Sequence, residues 1–78
     1  MKILDKMDGN LIEIRPENKY DETHIKIFLK ETYGKSHGRN STWFIGESYR
    51  VRLPYSMTLR PFFLRGKENI AFVKLSLS

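Results

Sequence analysis

Residues 41–65 hold the pattern that most restricts how this chain can fold. The stretch contains six of the ten aromatic residues and four of the six arginines. Residues 48–53 alternate between two faces, with Tyr49, Val51 and Leu53 on one and Ser48, Arg50 and Arg52 on the other. This alternation predicts a half-buried β-strand with a basic outer face. A basic, aromatic-rich β surface suits a polyanion, and it equally suits a small core with a solvated back.

Length and composition indicate a single compact domain spanning residues 1–78. The chain is 40% hydrophobic, enough for a modest core, and it lacks cysteine, which excludes a disulfide scaffold and thiolate zinc sites. Its longest apolar run, residues 70–73, is far shorter than the roughly 20 residues of a membrane helix, and residues 1–10 do not resemble a signal peptide. We therefore expect a soluble, cytoplasmic protein that does not contact membranes.

The net charge of +5 is unevenly distributed along the chain. Residues 1–33 carry six basic and seven acidic side chains, whereas residues 34–67 carry seven basic side chains and one acidic side chain. Clustered charge of one sign attracts nucleic acid or an acidic protein surface. The alternative interpretation is that the charge provides solubility alone.

The N-terminal segment predicts a β-hairpin. Residues 2–7 and 11–15 are β-prone runs on either side of Asp8-Gly9, and an Asp-Gly pair between apolar runs is a strong hairpin signal. Ile12 and Ile14 are expected to share one face of the second strand, with Leu11, Glu13 and Arg15 on the other.

Residues 21–33 fit two secondary structures. As a helix, they begin at Asp21, a good N-cap, and end at Gly34. One stripe of this helix then comprises Ile25, Phe28, Leu29, Thr32 and Tyr33. As a strand, Ile25, Ile27 and Leu29 alternate with polar residues. The capping residues at both ends favour the helix.

The rest of the chain reads as a loop followed by strands. Residues 34–41 are the loop, residues 42–46 and 48–53 are strands or one bent strand, and residues 58–64 form an edge or bulged strand because of Pro61. Residues 70–77 are expected to be a final, interior strand. The predicted fold is α+β, an antiparallel β-meander with an N-terminal hairpin and one packed helix. A small all-β barrel is the alternative if residues 21–33 form a strand.

The candidate binding residues are basic and aromatic. They are Lys35 and Arg39 in the loop, Arg50 and Arg52 on one strand face, Arg60 and Arg65 extending the patch, and Trp43 and Tyr55 as exposed stacking groups. Arg50 and Arg52 would stand about 7 Å apart along a strand, a separation comparable with that of neighbouring phosphates. Phe44, Tyr49 and Phe63 are assigned to the core, because a domain this small needs its large side chains there.

No catalytic, metal or cofactor site is predicted. His24 and His37 lie thirteen residues apart, and no carboxylate stands at a spacing that defines a metal or catalytic site. A nuclease using His37 is the enzymatic alternative, and we do not expect an enzyme.

Two functions fit these features. The first is a small non-catalytic module that binds nucleic acid, either DNA or RNA, through a basic and aromatic β face. The second is a phage- or mobile-element-type inhibitor or adaptor that binds an acidic surface of a larger host enzyme or nucleoprotein.

Overall fold

The computed structural model describes residues 1–52 and 55–77 and confirms the predicted α+β class. The strands are β1 (Lys2–Lys6), β2 (Leu11–Arg15), β3 (Trp43–Ile45), β4 (Tyr49–Val51), β5 (Met57–Leu59) and β6 (Phe62–Arg65). The helices are α1 (Lys19–Tyr33) and α2 (Lys67–Leu77). Four strands form an antiparallel sheet in the order β1-β2-β6-β3, and β4 pairs with β5 in a separate hairpin. The described residues form no closed barrel.

The predicted N-terminal hairpin is confirmed. β1 and β2 pair in register from Lys2 opposite Arg15 to Lys6 opposite Leu11. A short 3-10 turn, Met7–Gly9, joins them, and both Asp8 and Gly9 have positive φ. Glycine adopts this conformation without steric cost, which is why the Asp-Gly pair is informative at this position.

The helical interpretation of residues 21–33 is also confirmed, but the helix begins earlier than predicted. Asn18, not Asp21, is the N-cap, and its side-chain oxygen accepts a hydrogen bond from the Asp21 N–H at 2.8 Å. The Asp21 carboxylate accepts from the Glu17 N–H at 3.1 Å, so the two side chains cap the first turn together. At the other end Gly34 has a φ of 81°, and its N–H donates to the Lys30 carbonyl.

The prediction of a C-terminal strand is wrong, because residues 70–77 belong to α2. Ile70, Val73 and Leu77 recur at intervals of three and four, so this segment fits a helix as well as the alternating pattern of a strand. Tertiary pairing decides between the two. β6 is already paired with β2 on one side and β3 on the other, so a strand that followed it could not pair beside it.

The prediction of a single edge or bulged strand at residues 58–64 is wrong as well. The segment forms two strands, β5 and β6, which are interrupted at Arg60 and Pro61. β6 is interior, and it places non-consecutive strands beside one another, so the sheet is not a simple meander. Residues 42–46 and 48–53 likewise contribute to different sheets, as β3 and β4. Leu53, predicted on the inner face, lies outside the described residues.

Both helices cover the same face of the four-stranded sheet. The buried cluster comprises Ile12, Ile14, Ile25, Leu29, Trp43, Phe62, Leu64, Ile70 and Val73. Its two members from β2 are Ile12 and Ile14, which share one face as predicted. They alternate with Leu11, Glu13 and Arg15 on the opposite face. Burial of this apolar surface is the main stabilising contribution to the fold. Neither helix in the described part of the chain has the length and apolar character needed to cross a lipid bilayer.

The opposite face of the sheet, here called the open face, is not covered by either helix. Its strand residues are Lys2, Leu4, Lys6, Leu11, Glu13, Arg15, Phe44, Phe63 and Arg65. The β4–β5 hairpin closes one end of the domain, where the Tyr49 hydroxyl donates to the Pro16 carbonyl at 2.5 Å. The Arg15 guanidinium lies 4.2 Å from the centre of the Tyr49 ring.

Candidate functional site

Two phenylalanines stack on the open face of the sheet. Phe44 of β3 stands opposite Phe63 of β6, with ring centres 5.0 Å apart and ring planes within 10° of parallel. Both rings are partly exposed, and neither belongs to the buried cluster. The expectation that Phe44 and Phe63 are core residues is therefore wrong. In contact, aromatic planes lie about 3.5 Å apart, so a 5.0 Å centre separation is an offset stack.

The predicted exposure of Trp43 is wrong in the opposite direction. Predicted to be an exposed stacking group, it is only 3% exposed and packs against Phe62 on the helix-covered face. Its indole Nε1–H donates to the Gly34 carbonyl at 2.8 Å, which satisfies its one polar group. Adjacent residues of a strand point to opposite faces, so burial of Trp43 places Phe44 on the open face.

A groove of about 360 Å³ runs along the stacked pair. We call it the phenylalanine groove and define it by six of its eight lining residues, which are Glu13, Arg39, Phe44, Gly46, Pro61 and Phe63. Gly46 is needed for its shape, because a Cβ at this position would collide with the Phe63 ring. A groove of this volume with aromatic walls and a few polar groups can accept a small planar ligand.

The strand residues of the open face carry four cations and one carboxylate. The carboxylate, Glu13, is nearly buried and lies within ion-pair distance of two of these cations, Lys6 at 3.6 Å and Arg15 at 3.5 Å. Its negative charge is thus offset within the face. Glu47 also borders the groove, so one further negative charge lies there with the positive charge of Arg39. The balance over the open face is positive, which attracts polyanions.

Arg65, one of the predicted binding residues, holds the neighbouring loop in place. Its Nε–H donates to the Ser41 carbonyl at 3.3 Å, and its Nη2 donates to the Arg39 carbonyl. The same guanidinium lies 5.2 Å from the centre of the Phe44 ring. Arg65 therefore connects the loop backbone to the aromatic pair, and the exposed side chain of Arg39 borders the groove as a result.

The other predicted arginines lie on the β4–β5 hairpin, away from the phenylalanine groove. Arg50 stands opposite Thr58 on the outer face, and Tyr49 and Val51 lie on the other face, as the alternation predicted. Tyr49 is only partly buried and lies outside the buried cluster, so its assignment to the core is wrong, as it is for Phe44 and Phe63. Arg52 and Arg60 are exposed beside it. In residues 1–52 and 55–77, none of these three arginines forms an ion pair. We call Arg50, Arg52 and Arg60 together the hairpin arginines.

Tyr55 is exposed, as predicted, with 70% of its surface accessible. It lines a second groove together with Tyr20 and Met57, at the end of the domain where α1 begins. Tyr20 stacks on His24, with ring centres 6.3 Å apart. Tyr55 thus lies near the hairpin arginines in the chain but does not line the phenylalanine groove.

His24 and His37 are exposed, and the described residues contain no group of three His, Asp or Glu side chains placed to hold a metal ion. Burial raises the pKa of the Tyr33 hydroxyl above its usual value, and it does the same for Tyr49 despite the opposing effect of Arg15. Lys35, a predicted phosphate contact, lies on the opposite side of β3 from Phe44, in a pocket with Trp43 and Ile45.

Comparison of the chain with protein-family models, curated proteins and solved structures finds no match. The site is therefore interpreted from its own chemistry. Sequence reasoning missed Phe44 and Phe63 as surface groups. Strand alternation indicates that Trp43 and Phe44 face opposite ways, but the sequence does not show which face the helices cover.

Proposed function

We propose that this protein binds single-stranded nucleic acid across the open face of its sheet, without catalysis. The observation that carries the proposal is the stacked pair Phe44 and Phe63 on adjacent strands, outside the core and beside a groove of about 360 Å³. Unpaired bases bind to aromatic side chains, with a contribution of about 1–3 kcal/mol per base. Bases in a duplex are already stacked and paired, so the proposed site prefers single strands.

The charges of the open face support the same function. Lys2 and Lys6 are exposed on the outermost strand, and Arg39 borders the phenylalanine groove. Lysine and arginine side chains bind phosphate oxygens and provide affinity that does not depend on base sequence. A strand of nucleic acid on this face would have its bases against the phenylalanines and its phosphates near these cations.

Fluorescence anisotropy with labelled single-stranded and double-stranded DNA and RNA tests the proposal. We expect single strands to bind more tightly, and we expect affinity to fall steeply between about 50 and 200 mM salt. Phe63→Leu should weaken binding roughly tenfold, because leucine fills space but provides no aromatic face.

Phe72→Leu is the matched control. Phe72 also belongs to a stacked phenylalanine pair, with Phe28, but on the helical side of the domain, and it is 50% exposed. This control should bind as the unaltered protein does. Equal losses in the two variants, or no binding of any single strand at low salt, would contradict the proposal.

A second candidate function is binding to an acidic protein surface through the hairpin arginines. Three exposed arginines without ion pairs in the described residues lie apart from the phenylalanine groove, so they form a basic surface without the stacked pair. Such a surface can complement an acidic one on a larger enzyme or nucleoprotein, as an inhibitor or adaptor of phage or mobile-element type does. Affinity capture from nuclease-treated lysate, compared between the unaltered protein and Arg50→Glu/Arg52→Glu, tests it. Loss of every stoichiometric partner after nuclease treatment would leave only the first candidate.

A further inference from the structure

A second basic site lies on the helix side of β3. Lys26 and Lys30 are four residues apart on α1, so they project from the same side of the helix. Together with Lys35 they line a pocket of about 250 Å³, whose floor is formed by Trp43 and Ile45. We call this the lysine pocket. Only Lys35 was predicted to bind a ligand, because nothing in the local sequence connects it with the two helical lysines.

The segment that carries Lys35 is fixed to the sheet on both sides of that residue. The Gly34 carbonyl accepts a hydrogen bond from the Trp43 indole at 2.8 Å. On the other side, the Ser36 hydroxyl donates to the Trp43 backbone carbonyl, also at 2.8 Å. β3 is the last strand of the sheet, so this carbonyl would otherwise lie on an unpaired edge. The position of Lys35 beside α1 is thus set by two hydrogen bonds before any ligand binds.

The charge of the lysine pocket is not balanced within the described part of the chain. None of its three lysines forms an ion pair there, whereas Lys6, Lys19 and Lys74 each do. Like charges that share a pocket repel one another, and a multiply charged anion relieves that repulsion. Ser36 also lines this pocket, but its hydroxyl proton is already donated to the Trp43 carbonyl, so the three lysines are the groups that would bind an anion.

We propose that the lysine pocket is a phosphate-binding subsite, and this inference rests on the proposed function. β3 lies between the pocket and the phenylalanine groove, with Trp43 and Ile45 facing the pocket and Phe44 facing the groove, and Ser36 occupies part of its outer edge at Trp43. A nucleic-acid strand that passes over this edge would place a base on Phe44 and a phosphate among the lysines. The same chemistry would bind a free polyphosphate, so the experiment separates the two sources.

The first measurement is a titration with inorganic tripolyphosphate, followed by backbone amide chemical shifts. We expect the largest shifts at Lys30, Lys35 and Ser36. The variant Lys26→Gln/Lys30→Gln/Lys35→Gln should bind tripolyphosphate at least about tenfold more weakly. The control Lys19→Gln/Lys67→Gln/Lys74→Gln removes the same charge from helix positions outside the pocket and should change affinity far less.

The second measurement is anisotropy with a labelled single-stranded oligonucleotide. The pocket variant should bind about tenfold more weakly and with a shallower salt dependence, whereas the control variant should keep most of its affinity. Equal losses in the two variants would overturn the proposal, because they would indicate net charge and not a site. The proposal of a phosphate subsite would also be overturned if the unaltered protein did not bind tripolyphosphate and the pocket variant bound the oligonucleotide with unchanged affinity. That result would not contradict the proposed function. Tripolyphosphate binding at the pocket without oligonucleotide binding would support a free-phosphate site and contradict the proposed function.

Discussion

The two faces of the four-stranded sheet use the same kinds of side chain for different purposes. Phe62 and Phe63 are neighbours in β6, yet Phe62 is 1% exposed beneath the helices and Phe63 is partly exposed beside the phenylalanine groove. Trp43 and Phe44 divide in the same way on β3. The comparison shows that aromatic content locates neither the core nor a binding surface, and that the face covered by the helices decides the role of each ring.

The largest expected effect is the difference in stability between alanine variants of Phe62 and Phe63. Phe62→Ala should lower the free energy of unfolding by about 3–5 kcal/mol, because it opens a cavity in the buried cluster. Phe63→Ala should lower it by about 1 kcal/mol, since its ring is partly solvated. Chemical denaturation of both variants measures the difference. Equal losses would show that the two faces contribute alike to the fold.

The next prediction concerns Trp43 and Phe44. Trp43→Phe should destabilise the protein by about 1–3 kcal/mol, because it removes buried ring volume and leaves the Gly34 carbonyl without its indole donor. Amide hydrogen exchange in residues 35–41 should become faster. Phe44→Leu should leave that exchange nearly unchanged and should weaken binding of single strands. Unchanged amide exchange of residues 35–41 in Trp43→Phe would show that the indole hydrogen bond does not hold this loop in place.

Gly46 connects the backbone to the shape of the phenylalanine groove. Gly46→Ala should weaken binding of a single strand by about five- to tenfold, because the added methyl group displaces the Phe63 ring. In the Phe63→Leu background the same substitution should reduce the affinity for a single strand much less. The difference is a measurable coupling in a double-mutant cycle. Additive losses would show that Gly46 acts on binding independently of Phe63.

The smallest expected effect is the dependence of stability on alkaline pH. Burial raises the folded-state pKa of the Tyr33 and Tyr49 hydroxyls above the unfolded value of about 10. The unfolded chain therefore loses these protons first, so the contribution of the two tyrosines to stability is full below pH 10 and falls as pH rises through their folded-state pKa values. Denaturation midpoints between pH 8 and 11 should show this decline, and Tyr33→Phe should reduce it. A midpoint that does not change over this range would contradict the assigned burial effect.

Local sequence signals accounted for the first part of the fold. The turn at Asp8-Gly9 and the alternation of Ile12 and Ile14 specify the N-terminal hairpin through contacts a few residues apart. Gly34 likewise ends α1 by its own backbone conformation. The inward and outward faces of β4 were predictable for the same reason. At the start of α1 the predicted cap, Asp21, was wrong, because Asn18 caps the helix three residues earlier.

The sequence by itself thus determined the α+β class, the hairpin, the helix α1 and the basic character of the second half of the chain. Residues 70–77 fit both a helix and a strand by local pattern, and tertiary structure decided for the helix, because both edges of β6 are occupied by strands distant in sequence. It also decided that Trp43 is buried and Phe44 is not, and that Lys26 and Lys30 meet Lys35. These outcomes depend on which elements pack together, and such long-range pairing leaves no local periodicity that identifies it.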